Sequence, residues 1–387
     1  MRREAVARLA DAYSGLGLAD VLPGVARSLG VDLGPREVGR LTLPRSRRAV
    51  VVLVDGLGRH LLEARRGHAP FLRAAMSGAP GLHAGFPSTT ATSMGTFGTG
   101  LPPGAHGLVG YQVLVPGEDR TFNELAWDEG VDPFVWQPHD TVLQRCERAG
   151  VAVTRIGPHY FDGSGLTNAA LRGGAFLGAK DLDARVEVAA RAAASGPRTL
   201  TYLYWGELDK TGHVHGWQSP EWTAELEHVD DQLARLRRLL PDDCALHVTA
   251  DHGMVDVPLD RRLDIAAEPD LADGVRHVGG EPRSLQLYAE DPGASGVAAM
   301  VRRWSERLGD EALVRTREQV VDEGWFGLVE AAVVPRIGDV VVAMTGSVAV
   351  VDSRTMRPEL MGLLGVHGSV TEQETAIPLL SWPARRG

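Results

Sequence analysis

Acid and imidazole side chains recur at the ends of apolar runs in this sequence. Asp55 closes VVLVDGLG, and Asp209 and His213 lie four apart in ELDKTGHVHG. Asp251 and His252 are adjacent in TADHGM, and His367 sits in GVHGS. All are expected in loops beside small residues. Carboxylate oxygen and neutral imidazole nitrogen are the donors that suit Zn²⁺. Six of them, taken three and three, are enough to hold two ions. Singly, each has a commoner explanation: Asp-Gly after a strand is usually a turn, and Asp-His-Gly an Asx-turn with a surface imidazole. Their joint occurrence favours a site.

A second chemical feature is the run of serines and threonines from Ser88 to Thr99 in AGFPSTTATSMGTFGTG. Its plainest reading is an N-capped helix of small residues packed tightly on a sheet. A helix N-terminus behind a hydroxyl is also an anion site. A threonine hydroxyl is a weak nucleophile until its pKa is lowered, and metal coordination is one way to lower it.

The elements that must position these groups follow from periodicity. Ala49 to Val54 is continuous, apolar and β-branched, which suits a strand buried on both faces of a parallel sheet. Val151–Ile156, Thr199–Trp205 and Cys244–Ala250 repeat the pattern. Helical runs, Asp181–Ala194 and Glu221–Leu240, precede the last two. Alternating strands and helices indicate βαβ units, and ligands collect at the carboxyl ends of such strands. The first forty residues read as a short amphipathic helix, a Gly-rich turn and a second helical piece, Leu18 to Leu29. After Met254 the strand candidates shorten: Arg276–Val278, Leu285–Tyr288, Leu313–Thr316 and Val340–Met344, with one helix at Val297–Leu308. The expected organisation is an α/β core formed by 1–255 and 366–387, with 256–365 inserted as a smaller α+β segment that could cap the site.

The 387 residues carry a formal net charge of −10 and are 44% hydrophobic. That balance argues against duplex nucleic acid or an anionic membrane as partner, because both need a basic face. A small phosphorylated substrate remains compatible, since bound ions supply positive charge locally. Cys146 and Cys244 form no CxxC pair and are expected to be reduced, partly buried thiols. The first residues lack the apolar core of a signal peptide, and no run is long enough to span a bilayer. The expectation is a cytoplasmic protein.

Taken in order, VVLVDGLG, FPSTTATSMGTFGTGLPPGAHGLVGY, ELDKTGHVHG, TADHGM and GVHGS resemble the motifs of the type I phosphodiesterase/nucleotide pyrophosphatase family of the alkaline phosphatase superfamily. They span residues 51 to 369. The resemblance implies an alkaline-phosphatase-like fold, with a mostly parallel central sheet flanked by helices. It implies Thr90 as nucleophile, with Thr89 the second choice. It implies one zinc site of Asp55, Thr90, Asp251 and His252, and another of Asp209, His213 and His367, with Mn²⁺ an alternative metal. The activity implied is hydrolysis of a phosphodiester, such as a nucleotide, through a covalent phospho-threonine. His106, in the TGLPPGAHG segment, is read as structural.

The sequence departs from the family at two positions. Ala91 stands where an aromatic residue often follows the nucleophile to stack a base. Tyr111 stands where an Asn donates to the phosphoryl oxygen. Tyr111 or Gln112 is the candidate replacement donor. A phosphomonoesterase or phosphonate hydrolase of the same superfamily is the alternative activity, and a metal-binding scaffold without turnover is the alternative of another class. A sulfatase would need Cys-x-Pro-x-Arg at the nucleophile position. A cofactor-independent phosphoglycerate mutase would need a Ser near Asp55. Neither is present. Trp127, Trp136, Tyr160, His139 and His159 are candidate pocket-lining residues, with packing the commoner fate of the aromatics. His215 is expected to face substrate or solvent.

Overall fold

The computed structural model describes Leu9 and residues 13–34, 40–127 and 130–385. The first of the expected N-terminal helices falls outside the described residues. The second forms as a 3₁₀ turn, Leu18–Asp20, running into a helix, Val21–Ser28.

The strands, in chain order, are β1 (Arg48–Val54), β2 (Gly81–His83), β3 (Ala152–Gly157), β4 (Ala175–Gly178), β5 (Thr199–Trp205) and β6 (Cys244–Thr249). A second sheet contributes β7 (Val275–Glu281), β8 (Ser284–Ala289), β9 (Ala312–Thr316) and β10 (Val340–Met344), and β11 (Ala376–Trp382) follows. The central sheet has the order β2-β11-β6-β1-β5-β3-β4. Its pairings from β6 to β4 are all parallel. β11 runs antiparallel to both of its neighbours. β1 is central and wholly apolar from Ala49 to Val54, and those six residues are inaccessible to solvent, as a strand covered on both faces requires.

Four helices matter for the site. Thr90–Thr99 (α1) follows Thr89 and ends at Gly100, whose left-handed backbone closes it. Leu182–Ala194 (α2) is capped by the Asp181 carboxylate on the Ala184 N–H, 2.9 Å. Glu207–His215 (α3) follows β5, and Pro220–Leu239 (α4) is capped by Ser219 on the Trp222 N–H, 3.0 Å. Ser/Asp caps and Pro in the first turn are ordinary helix starts. One large core joins the central sheet to α2 and α4 through residues such as Val186, Leu203, Trp222 and Leu246.

The second sheet is antiparallel, in the order β7-β8-β10-β9. It has its own apolar cluster, built around Leu287, Val342 and Trp304 of the helix Ala294–Leu308. A buried ion pair ties its hairpin to the central sheet: Arg283, between β7 and β8, meets Glu374, just before β11, at 2.7 Å with both side chains inaccessible. Cys146 and Cys244 are buried free thiols, as expected. Among the described residues no helix is long and apolar enough to cross a membrane.

Candidate metal centre

The carboxyl ends of β1, β5 and β6 meet at one point of the sheet, and the chemistry-bearing side chains leave from there. Asp55 follows β1 directly and its N–H continues the ladder to the Trp205 carbonyl, 2.8 Å. Asp251 and His252 follow β6. Asp251 turns one oxygen back onto the N–H groups of Gly56 (3.2 Å) and His252 (3.0 Å). Gly56 sits at φ +73°, and a Cβ there would lie 3.0 Å from Asp209. Only glycine lets the β1 turn pass so close to the next carboxylate.

Asp209 and His213 depart from expectation. They lie on a helix, α3, rather than in a loop. Gly206 starts it, Glu207 and Asp209 occupy its first turn, His213 and His215 its last, and Gly216 at φ +82° ends it. Acids early and imidazoles late suit the helix dipole. The four-residue spacing stacks Asp209 over His213 on one face, with a carboxylate oxygen 3.0 Å from the His213 Nε2.

The three imidazoles share one arrangement. His213 Nδ1 meets the Gly365 carbonyl at 2.7 Å, His252 Nδ1 the Gly253 carbonyl at 3.0 Å, and His367 Nδ1 the Ser88 carbonyl at 3.0 Å. A carbonyl only accepts, so each Nδ1 carries a proton and Nε2 is the nitrogen turned toward the carboxylates. The His252 Nε2 lies 3.3 Å from Thr90 Oγ1, 3.4 Å from Asp55 and 3.5 Å from Asp251. The His367 Nε2 lies 4.0 Å from Asp209, and the rings of His252 and His367 stack at 3.7 Å. Asp55, Asp251 and His252 form one tight group of ligand atoms, and Asp209, His252 and His367 another. His252 therefore stands between the two groups, and His213 joins the second through Asp209.

Three buried carboxylate oxygens here, Asp55 Oδ1, Asp209 Oδ1 and Asp251 Oδ2, accept no hydrogen bond. Orphaned acceptors of this kind are costly in a protein interior unless a cation satisfies them. The donor set thus fits divalent ions. The electrostatics agree. Burial, with the charges of Asp251 and Asp209, pushes the Asp55 carboxyl well above its usual range. Burial opposes charge on His213, but Asp209 and the Gly365 carbonyl hold its proton and raise its pKa to about 9. A cation at these atoms would displace such protons.

Thr90 is the first residue of α1, facing the groups above. Its loop is clamped to the His367 loop: Ser88 N–H donates to the Gly368 carbonyl at 3.1 Å, and Ser88 Oγ to the Ser369 carbonyl at 2.7 Å. Ser93, one turn along α1, donates to the Asp251 carbonyl at 2.9 Å.

Asp55, Thr90, Asp209, His213 and His367 line one cavity of about 550 Å³. Tyr111 lines it too. Gln112 does not: its amide donates to Thr121 across a small hairpin at 2.7 Å, and it faces an adjoining cavity. Of the other candidate lining residues, Tyr160 reaches the cavity. Trp136 is buried on Glu124 and Arg336, Trp127 packs on Phe122, and His139 turns to the Ala105 carbonyl and Glu330. His159 lies against Gly178, and His215 is exposed. His106 is buried between Thr96 Oγ1 and the Leu108 N–H, away from the centre.

Two residues at the centre carry no signal in the sequence. Tyr204 donates its hydroxyl to Asp55. Glu281, at the end of β7, faces His367 at 3.6 Å and has an oxygen without a partner. Tyr204 is placed by parallel register, which pairs it with Leu53, two residues before Asp55. Glu281 comes from the second sheet, and nothing local marks it.

The family model for type I phosphodiesterase / nucleotide pyrophosphatase matches residues 49–370. The chain belongs to this family. It is a hydrolytic enzyme of the alkaline phosphatase superfamily, acting on phosphoesters, and the family is metal-dependent. Murine ectonucleotide pyrophosphatase / phosphodiesterase 5, an inactive form in complex with AMP, superposes with a TM-score of 0.69 at 20% identity, covering 88% of this chain and 90% of that one. Phosphonoacetate hydrolase from Sinorhizobium meliloti 1021, in complex with phosphonoformate, gives 0.67 at 19% identity, covering 89% and 92%. Human ectonucleotide pyrophosphatase/phosphodiesterase family member 7 is 41% identical over 63 residues, which is 15% of this chain and 14% of that protein.

Proposed function

We propose that this enzyme hydrolyses phosphodiesters by two displacements at phosphorus, with Thr90 as the nucleophile. What supports the reading most is the approach of Thr90 Oγ1 to within 3.3 Å of His252, in a pocket where three buried carboxylate oxygens have no donor. The proposed ligand sets are Asp55, Thr90, Asp251 and His252 for one divalent ion, zinc for preference, and Asp209, His213 and His367 for the other. Such ions supply Lewis acidity to the attacking and leaving oxygens.

In the first step Thr90 Oγ1 forms a bond to phosphorus, its proton is lost, and the opposite P–O bond breaks. The departing alcohol takes the electron pair and a proton. In the second step water attacks phosphorus, the P–Oγ1 bond breaks, and Thr90 regains its proton. Two inversions give net retention. The N–H groups at the start of α1 face the phosphoryl oxygens, as a helix N-terminus favours. Tyr111 lines the same cavity and is proposed to bind the phosphoryl group in place of the family Asn. Residues 256–365 are proposed as the inserted segment that walls the cavity.

The test compares bis-p-nitrophenyl phosphate, p-nitrophenyl phosphate and phosphonoacetate as substrates of the zinc-loaded enzyme. Faster cleavage of the diester supports the reading. A preference for the monoester or the phosphonate would replace it with the corresponding hydrolase of the same superfamily.

A further inference from the structure

The cavity at the metal centre does not end there. Its lining extends to Arg155, a residue of β3 flanked in register by Tyr202 of β5 and Phe176 of β4. The cavity lining is largely apolar and includes Phe161, Leu166, Leu171, Leu360 and Leu363. An arginine in such a place ordinarily has a carboxylate beside it. This one has no ion-pair partner among the described residues. Nη2 donates to the Gly174 carbonyl at 3.2 Å, the guanidinium lies 5.7 Å from the centre of the Phe176 ring, and Nε is buried without an acceptor. The nearest acids are otherwise placed. Glu147 accepts the Gly174 N–H at 3.1 Å, and Asp162 is on the exposed turn after Phe161. Their fields reach Arg155, but its burial outweighs them and lowers its pKa.

We infer that Arg155 is an anion subsite, and that the preferred substrate is a phosphodiester whose apolar arm ends in a second anionic oxygen group, a carboxylate or a phosphoryl. The inference rests on the phosphodiesterase reading and names the substrate class of that same cavity. The guanidinium fork matches either group with two parallel hydrogen bonds. The apolar walls accept the spacer between that group and the scissile phosphorus. The cavity volume is in the range that holds an organic ligand of this size. Arg155 touches neither the ligand atoms nor Thr90, so its role is in specificity and not in the displacement.

The experiment measures kcat/KM on bis-p-nitrophenyl phosphate, on bis(3-carboxy-4-nitrophenyl) phosphate and on an analogue phosphorylated at the same ring position. The enzymes are the wild type, Arg155→Met, which keeps the packing on Phe176, and Arg155→Lys, which keeps the charge. The Met variant is expected to lose roughly 10- to 100-fold on one or both anionic substrates and less than about twofold on the neutral one. The Lys variant is expected to lie between. The two anionic arms decide between carboxylate and phosphoryl. Equal losses on all three substrates would make Arg155 a structural residue, and no loss on any would remove the subsite. A wild type that cleaves no diester would overturn the phosphodiesterase reading instead. Calorimetric titration of phenylphosphonate and 4-carboxyphenylphosphonate then reads the subsite without turnover. With 4-phosphonophenylphosphonate as a third ligand, tighter binding of either doubly anionic ligand, abolished by Arg155→Met, supports the subsite, and equal binding of all three overturns it.

Discussion

The three imidazoles at the centre are fixed from behind by backbone carbonyls of Gly365, Gly253 and Ser88. Their orientation is therefore a property of the fold and survives changes in the ions. Thr90→Ala removes the hydroxyl and one methyl group from a half-buried helix start. It is expected to lower kcat at least about 10³-fold while leaving the denaturation midpoint within about 0.5 kcal/mol of wild type. Near-wild-type turnover would move the nucleophile elsewhere, Thr89 being the next hydroxyl. Chelation is expected to abolish activity and lower the thermal midpoint, with Zn²⁺ restoring both. A midpoint indifferent to chelator and zinc would contradict the ligand assignment.

Residues away from the centre add to the loss of stability in acid. Burial lowers His106 to about 3, aided by His139 and Arg336, and lowers His247 to about 4. Both are neutral, folded or unfolded, well above 6.5. Below that, the unfolded chain takes up protons that the folded chain refuses, so stability falls as pH drops toward those values. Each contributes a slope of about 1.4 kcal/mol per pH unit. Urea titrations of wild type and His247→Leu between pH 7 and 4 measure it. The variant is expected to show the shallower decline, and parallel curves would mean that His247 takes its proton inside the fold.

At the scale of elements, the site depends on close backbone approaches. Gly253 follows His252 and passes under the Gln373 carbonyl, where a Cβ would stand 1.9 Å from that oxygen and 3.0 Å from the Gly58 Cα. Neither neighbour is a flexible side chain. Gly253→Ala is expected to cost about 1–3 kcal/mol and to weaken zinc affinity by displacing His252. Zinc titration checks the second effect, and unchanged affinity would separate this turn from the ion site. The elements that carry strong periodicity were legible from the residues alone. β1 and β5, α2 and α4, and the four strands of the second sheet lie within a few residues of where the apolar patterns put them. The short strands Gly81–His83 and Ala175–Gly178 were not, since three or four residues show no period. β11 was missed because Pro378 interrupts it. The Glu207–His215 helix reads as a loop because its residues are polar and glycine-flanked, and packing decides its form. The candidate ligands were visible as acid and imidazole residues at the ends of apolar runs. Arg155 and Glu281 were not, since what marks them is a single unsatisfied polar atom in three dimensions.

At the scale of the molecule, the two sheets are joined beside the active centre. Arg283 reaches from the β7–β8 hairpin to Glu374, and Glu374 also accepts the Ser369 N–H at 3.0 Å, two residues beyond His367. Glu374→Ala leaves a buried guanidinium unpaired and is expected to destabilise the protein by about 3–5 kcal/mol. Denaturant unfolding measures this, and a loss under about 1 kcal/mol would mean that water reaches Arg283. Such a staple makes the position of the second sheet, and with it Glu281, part of the geometry of the centre.

The placement of β11 bears on how the protein is made. It follows every other strand of the central sheet in the chain, yet it lies between β2 and β6. On the ribosome, a nascent chain that already carries Asp55, Asp209, Asp251 and His252 must wait through the translation of more than a hundred residues with the seam between β2 and β6 unzipped. The same late stretch that closes this seam brings His367. Closure of the sheet and arrival of the last candidate ligand thus fall to the same late stretch of chain, and until it docks the bare flank of β6 is a surface for chaperones to shield.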